Sequence, residues 1–182
     1  MQIKQIPAFI LLLLLATAVM AEEKPFLPES PQESNGSISP AAAVSKSKFL
    51  VKKSVNLDIA RRIALAAELK ARELGTTVAI TVLDASQDIK IEYVMDGQSS
   101  IALEWARAKA LSALEFVQPT NKGDFKVLNI GNKTMVLGAG GGYPLLYEGE
   151  LLGAIGVSGT RGQEDDIIAQ HAQNEFNKAF IK

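Results

Sequence analysis

The sequence predicts an α+β domain in which about five antiparallel strands are layered with three helices. Two observations carry this expectation. Hydrophobic periodicity along the chain runs helix, strand, strand, helix, three strands, helix. Consecutive strands are joined by short polar turns, which suit antiparallel neighbours, and the strict strand–helix alternation of a doubly wound parallel sheet is missing.

The first helix follows Asn56, an N-cap residue, with apolar residues at Leu57, Ala60, Ile63, Ala64, Ala67, Ala71 and Leu74 and a stop at Gly75. Two β-branched strands come next, Thr77 to Asp84 and Ile89 to Met95, and the polar turn from Ala85 to Asp88 makes them a hairpin. A second helix is expected from about Ser100 to Phe116, ending before Pro119. Met135 to Leu137, Leu145 to Tyr147 and Leu151 to Val157 read as strands, the last two turned by Glu148-Gly149. The third helix spans about Gln163 to Ala179, and its first turn carries Glu164, Asp165 and Asp166, where the positive end of the helix dipole favours acids.

Composition sets the outer bounds. The 182 residues, 47% of them hydrophobic, have room for one ordinary domain plus an appendage. A formal net charge of -1 gives no basic face for nucleic acid, so nucleic acid is not expected as a partner. Residues 1–21 have the layout of a secretory signal peptide: a basic Lys4, an apolar run from about Ala8 to Val19, and small residues before Glu22. The run is shorter than the roughly 20 apolar residues of a membrane span, so no stable membrane anchor is expected and the mature protein is read as periplasmic or secreted. Residues 22–54 read as a flexible Pro/Ser-rich tether ending in the basic stretch "SKSKFLVKKS", and 55–182 as the domain. The chain has no cysteine, which excludes disulfides and an acylated-cysteine anchor.

The glycine-rich segments are the strongest chemical signal. "GAGGGYP" lacks a following Gly-Lys-Ser/Thr and leads into a strand, so it is no phosphate loop. "GAIGVSGTRG" leads into the third helix with Arg161 beside the helix start, where an anion is physically sensible. Alternatively, Gly153 and Gly156 allow a helix to lie close on a strand. Nucleophilic catalysis has little support without cysteine. The single histidine, His171, falls at the edge of a buried helical stripe, and a zinc site is not expected from one histidine.

Several separated motifs occur in order: "VAITVLD", "MDG", "ARAKALSALEFVQPT", "GGYPLLYEGELLGAIGVSG", and the paired acids Asp165 and Asp166. In this the chain resembles the GlcG/HbpS family of haem-binding and haem-degrading-type domains, over about Asn56 to Ala179. The resemblance implies a profilin-like fold, an antiparallel sheet flanked by helices, and a homo-oligomer. It also supplies a flat apolar occupant for the glycines, namely haem. Gly141, Gly142, Gly156 and Gly159 then line one ligand cleft, with Thr120 of the Pro-Thr pair at its mouth as the haem-binding threonine. Met95, Tyr143 and His171 are alternative iron ligands, so Thr120 and His171 are both candidates for the metal, and Lys109 with Arg107 would neutralise haem propionates. The chain departs from the family where Ser86, Gln87 and Asp88 replace a glycine turn, and where Ser112 replaces a common threonine.

Three functions follow as expectations. The first is a secreted or periplasmic haem-binding protein that holds haem loosely for sensing, storage or protection. The second is an enzyme acting on haem or on a small planar or carboxylate ligand, with Asp84, Asp96 or Asp165 as acid or base. The third is an oligomeric interaction module without a cofactor, whose glycines serve packing.

Overall fold

The computed structural model describes residues 52–180, and the leader and most of the tether read from the sequence lie outside the described residues. Nine elements follow in chain order: α1 Leu57–Glu73, β1 Ala79–Asp84, β2 Ile89–Val94, α2 Ser100–Phe116, β3 Lys126–Ile130, β4 Lys133–Leu137, β5 Gly142–Tyr147, β6 Glu150–Ser158 and α3 Gln163–Phe180. The main sheet has four antiparallel strands in the order β2-β1-β6-β5, and β3 with β4 forms a separate two-stranded hairpin. Among the described residues, no helix is long and apolar enough to cross a membrane.

Local chemistry explains the boundaries. Asn56 caps α1 by accepting from the Ile59 backbone N–H. The helix ends in a Schellman turn, with Gly75 at φ +68° and the backbone N–H groups of Gly75 and Thr76 donating to Arg72 and Ala71. Ser99 caps α2 through Ala102 N–H. Glu148 and Gly149 both have positive φ and close the β5–β6 hairpin as a two-residue loop, the turn whose twist matches its strands. Gln87 takes φ +70° in the β1–β2 turn, a left-handed conformation that glycine would adopt more readily.

β1 and β6 are central and covered on both faces, so their apolar runs do not alternate with polar residues. On one face Ile80, Val82, Ile155 and Val157 meet Ile63 and Ala67 of α1 and Ile168 and Phe176 of α3. On the other face α2 lies across β1 and β6, with Ala106 and Ala110 against Ala79 and Ala154. The β3–β4 hairpin packs on α2 through Leu128 and Met135. Ser112 joins them, accepting from Val136 N–H at 2.6 Å while its own hydroxyl donates to Ala108 O, which accounts for a small hydroxyl residue in a buried helix position.

The difference from expectation is β3. Its residues are nearly all exposed, so no core-facing alternation marks it in the sequence. Gly131 at φ +61° and Asn132 form its two-residue turn, and that pair was the available signal.

Candidate functional site

Six of the sequence-predicted site residues, Lys109, Thr120, Gly141, Gly142, Tyr143 and Gly156, meet in one buried layer between α2, β5, β6 and the start of α3. The ammonium Nζ of Lys109 lies 2.8 Å from Asp165 Oδ2 and donates to Val157 O at 3.0 Å and Ser158 Oγ at 3.3 Å. Burial pushes the Lys109 pKa below the usual lysine range, and the Asp165 carboxylate opposes that shift without cancelling it. Asp165 Oδ1 also accepts from the backbone N–H and hydroxyl of Thr160, which fixes the carboxylate at the helix start. Thr120 is fully buried; its Oγ1 donates to Ala139 O at 2.6 Å and accepts from Gly142 N–H at 2.9 Å. Asn121 bridges the Tyr143 hydroxyl and Asp166, whose other oxygen accepts from Gly141 N–H. Burial, then the Asp166 charge, pushes the Tyr143 phenol up to about 12. No buried side-chain nitrogen or oxygen among the described residues lacks a partner.

The glycines occupy this layer, yet they do not open a slot. Gly142 and Gly156 are directly paired across β5 and β6, as neighbouring strands require. A β-carbon on Gly156 would fall 1.9 Å from Ala106 O and 2.6 Å from Ala110 N, so the backbone of α2 fills the missing space. The space at Gly142 is taken by Lys109 O and Thr120, at Gly141 by Val157 O, and at Gly159 by the Gln98 amide. A flat ligand has no room among these four glycines. Thr120 is correspondingly inside the fold rather than at a cleft mouth, its hydroxyl is committed to two backbone partners, and Lys109 is committed to Asp165 rather than to a ligand carboxylate. Arg107 is likewise engaged, donating to both carboxylate oxygens of Glu92 and to Glu104.

The remaining candidates lie apart. Met95 is half-buried and packs against the α1/α3 core. His171 is half-buried on α3, close enough to influence Glu73 of α1 and Glu175 one turn further on. No group of three or more His, Asp or Glu side chains that could hold a metal ion occurs among the described residues. Asp84 is tied to Lys90 at 2.8 Å and to the Ser86 and Asp88 backbone N–H groups, as a turn-closing residue would be. Asp96 is exposed beside Gly97 in the turn after β2.

Two open depressions mark the surface, the first of them where the sequence places Arg161 beside the start of the third helix. One, of about 390 Å³, lies at the start of α3 between Asn121, Gly138, Gly140, Arg161 and Asp166. Its Arg161 would attract an anion, whereas the Asp166 carboxylate opposes one. The other is a groove of about 590 Å³ between α1 and α3, lined by Ile59, Arg62, Leu65, Ala66, Leu69 and Phe176 among others. Leu65 and Leu69 are 49% and 56% exposed. They fall outside the buried stripe of α1, four residues apart, and that off-stripe pair was the sequence signal for the groove.

A sequence model of the family described as haem degrading protein HbpS-like matches residues 55–174. The chain is 27% identical over 133 residues to an uncharacterized 15.0 kDa protein in the dhaT-dhaS intergenic region of Citrobacter freundii, covering 69% of this chain and 94% of that protein. It is 29% identical over 132 residues to the corrinoid adenosyltransferase PduO of Citrobacter freundii, covering 68% of this chain but only 39% of PduO. Two solved structures share the fold. The HbpS crystal structure matches with a TM-score of 0.60 at 24% identity, over 70% of this chain and 94% of that one. The PduOC:heme complex matches with a TM-score of 0.57 at 24% identity, over 66% and 94% respectively.

Proposed function

The chain belongs to the HbpS-like family, and from that premise we propose that it is a haem-binding protein working outside the cytoplasm, holding haem for sensing, storage or protection. The observation that carries this reading is the family match across residues 55–174, almost the whole described domain, joined to a haem complex of a protein with the same fold. Haem, when bound, supplies an iron centre that can exchange ligands and electrons. The chain's part is to shield an apolar ring, meet two carboxylates with cations and offer the iron a donor atom. The glycine layer does not suit those tasks, because its polar groups are already satisfied and its space is filled.

Hemin titration of the purified chain lacking residues 1–21 tests the reading. A saturable Soret band at a defined stoichiometry is expected, and hemin that behaves as it does in buffer overturns it. Export and assembly belong to the same proposal. They rest on the signal-peptide layout of residues 1–21 and on the family's homo-oligomers. The exported fraction of the native host should contain a chain beginning at Glu22, and retention of Met1 to Ala21 on intact-mass measurement rejects export with cleavage. Light scattering should give an assembly larger than a dimer, and a monomer rejects that.

A further inference from the structure

We propose that the outer edge of β3 joins two copies of this chain, the two β3 strands pairing antiparallel about a two-fold axis at Leu128. This surface belongs to the homo-oligomer reading and rests on it. β3 pairs on one side only, with β4. Val127 stands opposite Val136, whose backbone N–H points away from β3 and donates to Ser112 Oγ. The Val127–Val136 pair is therefore one of the non-hydrogen-bonded pairs of the ladder, and so is Asn129–Thr134 two residues on. The N–H and C=O groups of Val127 and Asn129 consequently point outward, and among the described residues they meet no partner. The other strand edges are closed to pairing: β4 by α2, β5 by Pro144, whose carbonyl accepts from Gln173, and β2 by Lys90 and Glu92, both held in ion pairs. β3 has no such guard between Val127 and Ile130.

The strand is complementary to itself. With Leu128 on the axis, Val127 of each copy lies opposite Asn129 of the other, and each such pair exchanges both its N–H···O bonds. Leu128 meets Leu128, Lys126 faces Ile130 instead of a like charge, and the Asp124 end of each strand lies toward the Lys133 end of the other. Phe125 falls opposite Gly131, where no side chain competes with its ring. The backbone bonds alone make a small contact, but exposed apolar surface adjoins them. Phe125, Val127 and Ile130 are 61%, 43% and 63% exposed, and the Phe125 ring lies 6.4 Å from that of Trp105 on α2. A formal net charge of -1 leaves little long-range repulsion between copies. An unrelated extended peptide gains the backbone bonds without this side-chain match, which favours a second copy.

The test measures the mass of the chain lacking residues 1–21 by light scattering over a dilution series. It compares the parent with Val127→Pro, Ile130→Lys, Ile130→Lys combined with Lys126→Glu, and Leu69→Glu in the α1–α3 groove as a control. Val127→Pro removes an outward N–H and no bond to β4, so it keeps the hairpin, and a parental circular dichroism spectrum checks that each variant folds. Val127→Pro should at least halve the mass of the assembly. Ile130→Lys sets an ammonium opposite Lys126 of the other copy and should weaken assembly roughly tenfold. Adding Lys126→Glu should restore it, since the two positions lie about 13 Å apart within one strand and can pair only between copies. Hydrogen exchange should find the Val127 and Asn129 amides protected in the parent and open after Ile130→Lys. A monomeric parent defeats the homo-oligomer reading and this surface with it. A parent that assembles while folded Val127→Pro and Ile130→Lys keep its mass leaves that reading standing and overturns the β3 contact, as does loss of assembly in Leu69→Glu alone. If Val127→Pro fails to fold, the charge exchange between Lys126 and Ile130 decides, and absence of rescue overturns the pairing.

Discussion

Lys109 in the middle of α2 and Asp165 in the first turn of α3 form an ion pair 2.8 Å long, with side chains only 5% and 2% exposed. The pair crosses the edge of the sheet, and Lys109 adds Val157 O of β6 to the same junction. Losing one partner leaves an uncompensated charge where water cannot reach it. Lys109→Met should therefore cost about 3–5 kcal/mol in urea unfolding. Adding Asp165→Asn, which removes the orphaned charge while keeping an acceptor for Thr160, should recover part of that loss. Strict additivity of the two single changes would show that the pair is not coupled.

Gly156 should be intolerant of any side chain. A β-carbon there meets the α2 backbone rather than the end of a flexible side chain, so relief requires the helix to move. Gly156→Ala should cost at least the roughly 1–3 kcal/mol of ordinary overpacking, and Gly156→Val should prevent folding. Gly149→Asn is the contrast, because nothing lies near that turn position and asparagine accepts left-handed backbone. Its melting temperature should stay close to that of the parent. A well-folded Gly156→Val with selectively weakened ligand binding would instead restore the glycine slot.

Asp84 should contribute to the acid limb of stability. Burial alone would raise its pKa, but Lys90 and the Ser86 and Asp88 backbone N–H groups outweigh burial and hold it below the ordinary 3.8. A carboxylate depressed in the fold stabilises above its unfolded pKa, and that contribution fades as pH falls through the folded value. The stability gap between the parent and Asp84→Asn should accordingly be flat at neutral pH and narrow only below about pH 4. Measuring unfolding free energy from pH 7 to pH 2.5 checks it, and a gap that narrows between pH 7 and 5 contradicts it.

Tyr143 should remain a phenol well beyond the ordinary tyrosine range. Its burial and the neighbouring Asp166 charge put ionisation at about 12 rather than 10. Phenolate absorbance of the folded parent and of Tyr143→Phe should coincide at pH 10, the Tyr143 contribution entering only near pH 12. A raised pKa in the fold also means that this group's share of stability declines as pH climbs from 10 towards 12. A difference already present at pH 10 would place the hydroxyl in open solvent.

Much of the architecture was legible before any coordinates. The boundaries of α2, the Asn56 cap and Gly75 stop of α1, and the two main-sheet hairpins follow from propensity, capping and turn chemistry, all of which act within a few residues. β3 was not legible, because an exposed two-stranded hairpin needs no apolar face and leaves only its Gly131-Asn132 turn as a mark. The candidate site divided in the same way. The resemblance grouped Lys109, Thr120, Gly141, Gly142 and Tyr143 around a bound haem, whereas in the fold Lys109 pairs with Asp165, Thr120 bonds Gly142, and the glycine spaces are filled by protein atoms.

By itself the sequence determined the family, the antiparallel α+β layering and the missing β-carbons where something must approach closely. Only the tertiary structure decided what approaches. Gly142 and Gly156 look identical in a strand pattern whether the space above them is solvent, ligand or helix, because a glycine states what is absent and not what replaces it. The crossing of α2 over β6 put helix backbone there, and paired Lys109 with an acid 56 residues away. The same packing left Leu65 and Leu69 uncovered, since two antiparallel helix surfaces against one sheet bury a stripe of each and not the flank between them.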